Sequence, residues 1–478
     1  VALALAPLVL AGLLVAAPAS AATSVSALMA RATPSTPGAV ASYPISYAPA
    51  TSQSAGSTIS VVAAPGTTFT ACVSSCPAYK IAQASSYKSY TKVSVQAVDG
   101  SSTPNEFVVT LAMTTIQSGT SVTIVAQGTN PATAGVKTLR IWTSKDPSPI
   151  GVNYSIGAPS GGLVQGAIPQ ASTAPQFDLS SPAYLQSLFG TPTGTIPTLG
   201  TTYLSGSTWA QMDGATSGLS YLKQDYWSSP GYQVVVGVPI LPSNNGAVSL
   251  QAGASQAYNK YFHQLALSLV NVGLGNAWLR LGWEFDNQGL VGASKKWGTG
   301  NNTTQEGYFA EYFRQIVTTM RTVAGTNFKF VWNPDGFAFL GNSDPEYLKT
   351  GGFSVLPAWP GPQYVDFIGA NVYDWEPSMA SGYTQAQNWA NFIAPQLLAS
   401  QQFAASEGKP LVFPEWGVMT KGPVFAGLGD DPGYINGMYC FMTNPANGVA
   451  WESYSNTSYS DWDTKITSSS FPASLEIG

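Results

Sequence analysis

The chain has 478 residues, enough for more than one domain, and only 9% of them are charged, against about 25% in an average soluble protein. Its formal net charge of -5 comes without any cluster of Lys or Arg, which excludes a phosphate-binding surface and argues against a nucleic-acid partner. A surface so poor in titrating groups must be mostly Ser, Thr, Asn, Gln and Gly, and its stability should depend weakly on pH, as an acidic habitat would require.

In chain order, residues 1–17 are almost wholly apolar and lead into Pro18-Ala19-Ser20-Ala21-Ala22, the small-residue pattern of a signal peptidase site. Residues 1–22 therefore read as a secretory signal peptide lacking its positive start, too short for a membrane anchor. The mature protein is expected to be secreted, extracellular and free of membrane. Residues 23–57 are rich in Ser, Thr, Ala and Pro with no sustained period and read as a linker. Over 58–150 the texture changes to short alternating runs, such as Val93-Ser94-Val95-Gln96-Ala97, at about ten-residue spacing, which predicts an all-β sandwich. Such an accessory domain could bind carbohydrate or another protein. Only Trp142 of the 13 Trp residues precedes position 200, however, so a spacer or stabilising role is the preferred reading.

Cys72 and Cys76 are candidates for a small disulfide loop in an oxidising compartment. Cys440 lies in an apolar helical stretch at 434–441 and reads as a buried, inert thiol. One CxxxC pair without a nearby His is not a zinc set, so no metal is expected. The single His263 sits in the middle of a helical pattern and reads as structural. Asn153, Asn302 and Asn456 begin glycosylation acceptor patterns.

Residues 151–478 carry eight apolar runs, at 162–168, 202–206, 234–241, 277–284, 328–333, 365–373, 411–416 and 448–454. Helical periods separate them, clearest at 255–272 and 308–323, and at 384–405 with a break expected at Pro395. Eight strand-and-helix units predict a (β/α)8 TIM barrel, so the chain reads as multidomain, a β-sandwich followed by a barrel, with a doubly wound α/β sheet as the competing arrangement.

Two of these runs end alike. Leu279-Arg280-Leu281-Gly282-Trp283-Glu284-Phe285-Asp286 and Pro410-Leu411-Val412-Phe413-Pro414-Glu415-Trp416-Gly417 each place a Glu beside a Trp at the end of an apolar strand. Parallel barrels keep their chemistry at that end. Two carboxyl groups facing one cleft are what glycosidic cleavage needs, one to protonate the leaving oxygen and one to attack the anomeric carbon or activate water. A salt-bridged or capping Glu is the alternative for each. Sugar rings stack on aromatic faces, so Trp283, Trp332, Trp375, Trp416 and Trp451 are candidate platforms. Strand alternation aims Arg280 inward to balance the carboxyls. Asn333, Asp335, Asp286 and Asp374 are candidate hydroxyl binders or loop caps.

Four motifs in this order, Arg280-Leu281-Gly282-Trp283-Glu284-Phe285-Asp286-Asn287, Phe330-Val331-Trp332-Asn333-Pro334, Tyr364 to Gly369 with Asn371-Val372-Tyr373-Asp374, and Phe413-Pro414-Glu415-Trp416-Gly417, resemble glycoside hydrolase family 26. That family of clan A barrels consists mostly of secreted endo-β-1,4-mannanases. The resemblance implies a retaining endo-β-glycanase with Glu284 as acid/base at strand four and Glu415 as nucleophile at strand seven. It further implies that Tyr373 donates a hydrogen bond to the nucleophile, and that Trp451 lies under the reacting sugar. Trp283 departs from it, because family mannanases usually carry His there. β-Mannan is the first substrate expected, with cellulose or mixed-linkage β-glucan next and a non-catalytic carbohydrate-binding protein as the rival of another class. The expected partner is a polysaccharide substrate, the protein is expected to be a monomer, and no cofactor is expected.

Overall fold

The computed structural model describes residues 23–33, 35–70, 79–85, 89–92, 95–99, 104–111, 115–157, 166–169, 198–215, 219, 232–244, 246–286, 297–300, 302–340, 356–375, 383–420, 427–458 and 463–466. The expected signal peptide and the Cys72–Cys76 loop lie outside the described residues.

The first part of the chain forms two antiparallel sheets. One has the order β1 (Ser26–Ala30), β2 (Val40–Ala48), β9 (Val122–Thr129), β5 (Tyr79–Ser85), β6 (Ser89–Lys92), with the short β4 (Thr68–Phe69) also on β9. The other runs β11 (Ile150–Ile156), β10 (Gly135–Thr143), β3 (Thr58–Val62), β8 (Glu106–Leu111), β7 (Val95–Asp99). Period-two alternation sends one face of each sheet into a common apolar cluster, in which Tyr43, Ile45 and Ile124 of the first sheet meet Val61, Phe107 and Ile141 of the second.

This arrangement corrects two boundaries. Residues 23–57 are not a linker, because they supply β1 and β2, and Tyr43, Ile45 and Tyr47 of β2 are fully buried. Their Ser and Thr content hid the alternation: Ser42 and Ser46 hold the partner positions between buried aromatic and aliphatic residues, and Ser46 Oγ pairs with Thr123 Oγ1 at 2.8 Å. The unit also extends beyond residue 150, since β11 pairs along β10 from Ile150 to Ile156. The Pro-rich segment at 145–149 is the turn between those strands.

The second part is a parallel sheet that closes on itself. Its strands are β12 (Gly166–Pro169), β13 (Leu199–Tyr203), β14 (Gln233–Val238), β15 (Trp278–Leu281), β16 (Lys329–Trp332), β17 (Phe367–Gly369) with β18 (Val372–Asp374), β19 (Leu411–Val418) and β20 (Val449–Asn456). β20 pairs with β12, which completes the ring. β17 and β18 both pair with β19 and form one stave interrupted at Ala370 and Asn371. All eight apolar runs supply strands of this barrel.

Alternation divides each strand between two cores. Val234, Val236, Leu279, Leu281, Phe330, Trp332 and Phe413 pack outward with the helices. Leu199, Val235, Val331, Val412 and Trp451, with Trp278 and Phe367 against them, fill the interior. The helices Asn259–Asn271 and Thr303–Arg321 lie where the period predicts. Pro395 distorts its helix rather than breaking it: a π-helical segment at Trp389–Ile393 joins Gln385–Asn388 to Ala394–Ser406 with right-handed helical dihedral angles throughout, and it lies just before the proline, whose N–H is missing. Among the described residues no helix is long and apolar enough to cross a membrane.

Candidate active site

Strand β15 ends at Leu281, earlier than its apolar run suggests. The chain then turns, and Glu284 adopts φ 49, a left-handed conformation that a residue with a Cβ adopts only under strain. The Glu284 amide donates to Asn333 O at 2.7 Å, which ties this turn to the end of the next strand. Glu284 is half-buried, and its Oε1 accepts from Asn371 Nδ2 at 2.7 Å.

Glu415 stands on β19. Its Oε1 accepts from Arg280 Nη2 at 2.7 Å and from the Tyr203 hydroxyl, and its Oε2 accepts from the Tyr373 hydroxyl at 2.8 Å. The guanidinium is fully buried and the Glu415 side chain 12% exposed, so the carboxylate keeps an opening toward solvent while its charge is balanced from beneath. Burial alone would lower the Arg280 pKa, but Tyr203 and Glu415 outweigh it and the guanidinium is held above its ordinary value. Burial, then the Glu415 carboxylate and Tyr203, push the Tyr373 phenol well above its usual range. Tyr373 is thereby kept as a proton donor to the carboxylate.

Arg280 is the hub that joins the two acids. Besides Glu415 it donates through Nη1 to Tyr203 at 2.7 Å, through Nε and Nη2 to Asn333 Oδ1 at 2.9 and 2.6 Å, and through Nη2 to Asn371 Oδ1 at 3.3 Å. Asn371 therefore touches both Arg280 and Glu284, and Asn333 Nδ2 donates to Asn371 Oδ1 at 3.1 Å to hold its amide in that orientation. The ring of Tyr203 needs Gly237 beside it, because a Cβ there would overlap the ring.

The structure brings Glu284, Glu415, Tyr373 and Arg280 together, with Asn333 behind Arg280 and Trp283 against Tyr203, and buries several of the other candidates. Asn333 is buried and serves Arg280, so it is a support rather than a sugar ligand. Trp332 is fully buried, donates to Ala358 O at 3.1 Å and packs on Phe285 and Trp359 in the helix layer. Trp416 is buried against Tyr434 and Tyr454 and donates to Glu452 Oε2 at 2.6 Å. Trp451 does point into the barrel, but it stands level with Val412, below Glu415, packed on Trp278 at 5.4 Å. Asp374 is buried and accepts from Asn388 Nδ2 at 3.2 Å, while Asp286 caps the Asp335 amide at 3.0 Å. All six are buried.

Trp283 and Trp375 remain half-exposed. Trp283 packs its ring against Tyr203 at 4.9 Å, beside the tyrosine that donates to Glu415. His263 is exposed on its helix, and Cys440 is a half-buried free thiol pushed up to about 11 by burial. Among the described residues no group of three His, Cys, Asp or Glu could hold a metal ion.

Tyr203 and Asn371 are the residues that sequence reasoning missed. Tyr203 ends β13 but stands near the start of the apolar run at 202–206, and inward parity with Leu199 and Thr201 was its available signal. Asn371 falls between two short strands, where no periodicity assigns a direction.

No family model matches the chain, and no curated protein matches it. Solved structures do align with it. The catalytic domain of a family 26 endo-β-1,4-mannanase from Bacillus sp. JAMB-750 aligns at 15% identity over 66% of this chain and 85% of that one, with a TM-score of 0.42. A modular family 26 endo-β-1,4-mannanase from Cellulomonas fimi aligns at 17% identity, 62% and 65% coverage and a TM-score of 0.42. Fungal β-1,4-galactanases align at 12% identity, 59% and 87% coverage and a TM-score of 0.41. Family 26, which the sequence motifs resemble, is thus the family named for two of these structures.

Proposed function

We propose that the chain is a secreted, monomeric, retaining endo-β-glycanase that cleaves β-1,4-linked polysaccharide, with β-mannan as the first substrate. One observation carries this reading: two carboxylates stand at the same end of a closed parallel barrel, and a single buried Arg280–Asn371 pair connects them. Glu415, its charge set by Arg280 and its orientation by Tyr203 and Tyr373, attacks the anomeric carbon. Glu284 gives its proton to the leaving glycosidic oxygen as that bond breaks. Glu284 then takes a proton from water, which attacks the glycosyl ester and releases Glu415. The half-exposed Trp283 and Trp375 are the rings placed to stack on sugars.

Trp283 also supports a second reading, an endo-β-1,4-glucanase acting on cellulose or mixed-linkage β-glucan. A broad indole against Tyr203 presents an apolar face beside Glu415, which favours equatorial sugars with flat C–H faces. The N-terminal sheets form a β-sandwich accessory unit in this proposal, and the mature enzyme tolerates acid.

The experiment is an assay of new reducing ends on a panel of soluble β-glycans from about pH 2 to pH 8, beside Glu284→Gln and Glu415→Gln. Cleavage of one glycan, lost in both variants, is the expected result. Silence on every glycan with binding retained would replace the enzyme by a non-catalytic carbohydrate-binding protein.

A further inference from the structure

The N-terminal unit does more than precede the barrel. It grips the helix Pro432–Thr443 along its length, and that helix reaches the active site from behind. At its middle, Asn436 is fully buried: its Oδ1 accepts from Arg31 Nε at 3.1 Å, and its Nδ2 donates to Ser46 Oγ at 3.3 Å, Met29 O at 3.4 Å and Pro44 O at 3.5 Å. The Arg31 guanidinium lies 3.9 Å from the centre of the Tyr439 ring, and Cys440 Sγ donates to Ala30 O at 3.3 Å. Contact is so close that a Cβ on Gly437 would collide with Met29 Sδ and the Trp389 ring. At the helix start, Asp431 caps the Tyr434 amide at 3.1 Å, and Gly433 lies so close to Ser121, next to β9, that a Cβ there would collide with the Ser121 hydroxyl.

Tyr434 then crosses to the barrel. Its hydroxyl donates to Val372 O at 2.8 Å and accepts from the Gly417 amide at 3.3 Å. These backbone groups belong to the residue before Tyr373 and to the second residue after Glu415, and Tyr373 pairs with Gly417 across β18 and β19. One buried hydroxyl thus pins the two strands whose side chains form the Tyr373–Glu415 hydrogen bond.

We propose that the N-terminal unit is a positioning element of the catalytic site: by clamping the helix Pro432–Thr443 it holds Tyr434 against β18 and β19 and keeps Glu415 under the Tyr373 hydroxyl. Tyr434 and Asn436 are positioning residues that touch no substrate. Removing the unit removes the clamp, which distinguishes it from a tethered carbohydrate-binding module. The inference rests on the assignment of Glu415 and Tyr373 as the reacting side of the site.

The test uses full-length Tyr434→Phe and Asn436→Ala, with Tyr43→Phe as the control. Tyr43 donates to Asn130 Oδ1 at 2.6 Å inside the N-terminal unit, so its loss weakens that unit without touching the clamp. Two readouts are taken well below the melting temperature: kcat and KM on the cleaved glycan, and hydrogen exchange of the peptide covering β19. Tyr434→Phe and Asn436→Ala should lower kcat about tenfold or more with KM within about twofold, and should speed exchange in β19. Tyr43→Phe should leave kcat and that exchange unchanged. Unchanged β19 exchange in Asn436→Ala, or an equal kcat loss in Tyr43→Phe, would overturn the proposal. If the parent protein cleaves no glycan, the exchange arm still decides the clamp while the functional reading fails separately.

Discussion

Arg280 and Glu415 form an ion pair at 2.7 Å whose cation is fully buried and whose anion opens toward the cleft. A buried charge is tolerable only when its partners are in place, and here Tyr203, Asn333 and Asn371 take up the remaining donors of the guanidinium. Arg280→Met should therefore cost about 3–5 kcal/mol of stability, the usual penalty for breaking a buried pair from one side. Arg280→Lys should fold better yet lose kcat, because a single ammonium cannot serve Glu415, Tyr203 and both amides together. Denaturant unfolding and steady-state kinetics on the two variants separate the contributions.

Substitution of either acid should remove cleavage by different amounts for different substrates. Glu415→Gln deletes the nucleophile and should abolish turnover on all glycans. Glu284→Gln deletes the proton donor, worth roughly 10²–10⁴ in rate, and should spare substrates whose leaving group departs without a proton. Activated aryl glycosides compared with the polysaccharide give the measurement. Equal loss on both substrates would reject Glu284 as the acid.

Three buried carboxyls make a pH prediction with a definite sign. Burial pushes Glu306 up to about 7, burial pushes Asp431 up to about 7, and burial followed by the nearby Asp431 holds Asp374 well above its ordinary value. Each binds its proton more tightly folded than unfolded, so stability is fully present below the unfolded carboxyl range near pH 4 and falls as pH rises toward about 7. The melting temperature should be higher at about pH 4 than at about pH 7.5. Glu306→Gln, in the first turn of the helix Thr303–Arg321 and outside the active site, should flatten that slope. A melting temperature that climbs steadily from pH 4 to pH 7.5 would contradict the assignment. Sparse charge by itself predicts pH-insensitive stability, so a slope toward acid would be the contribution of these three carboxyls.

The tryptophans should divide by location. Trp451→Ala empties the barrel interior beside Trp278 and Phe367 and should cost about 3–5 kcal/mol. Trp283→Ala and Trp375→Ala, at half-buried positions, should raise KM or change the preferred glycan and cost less stability than Trp451→Ala. Thermal unfolding and Michaelis constants for the three variants test the division.

The strand runs, the barrel, and the pair Glu284 and Glu415 were legible without a structure, because period-two burial and strand-end acids are local patterns. Arg280 was legible from its even spacing to Glu284, and the structure gives it the inward parity of Trp278. What alternation cannot carry is height along the barrel axis. Trp451 has inward parity and still fills a lower layer, because its level is set by pairing with Val412 on the neighbouring strand. Trp332 and Trp416 sit beside site residues in sequence, but adjacent positions on a strand face opposite sides, and both entered the helix layer. Glu284 reaches the site through a left-handed turn beyond β15, and Asn371 through a break between β17 and β18; neither follows a period. β2 was hidden because Ser42 and Ser46 alternate with its buried apolar residues, and Ser46 is itself buried, satisfied by Thr123 far away in the chain. Composition and periodicity thus determined the architecture, and the repeated Glu-beside-Trp motif pointed to its two acids. The stagger between strands and the long-range pairing of polar groups, which depend on neighbours distant in sequence, decided which side chains meet them.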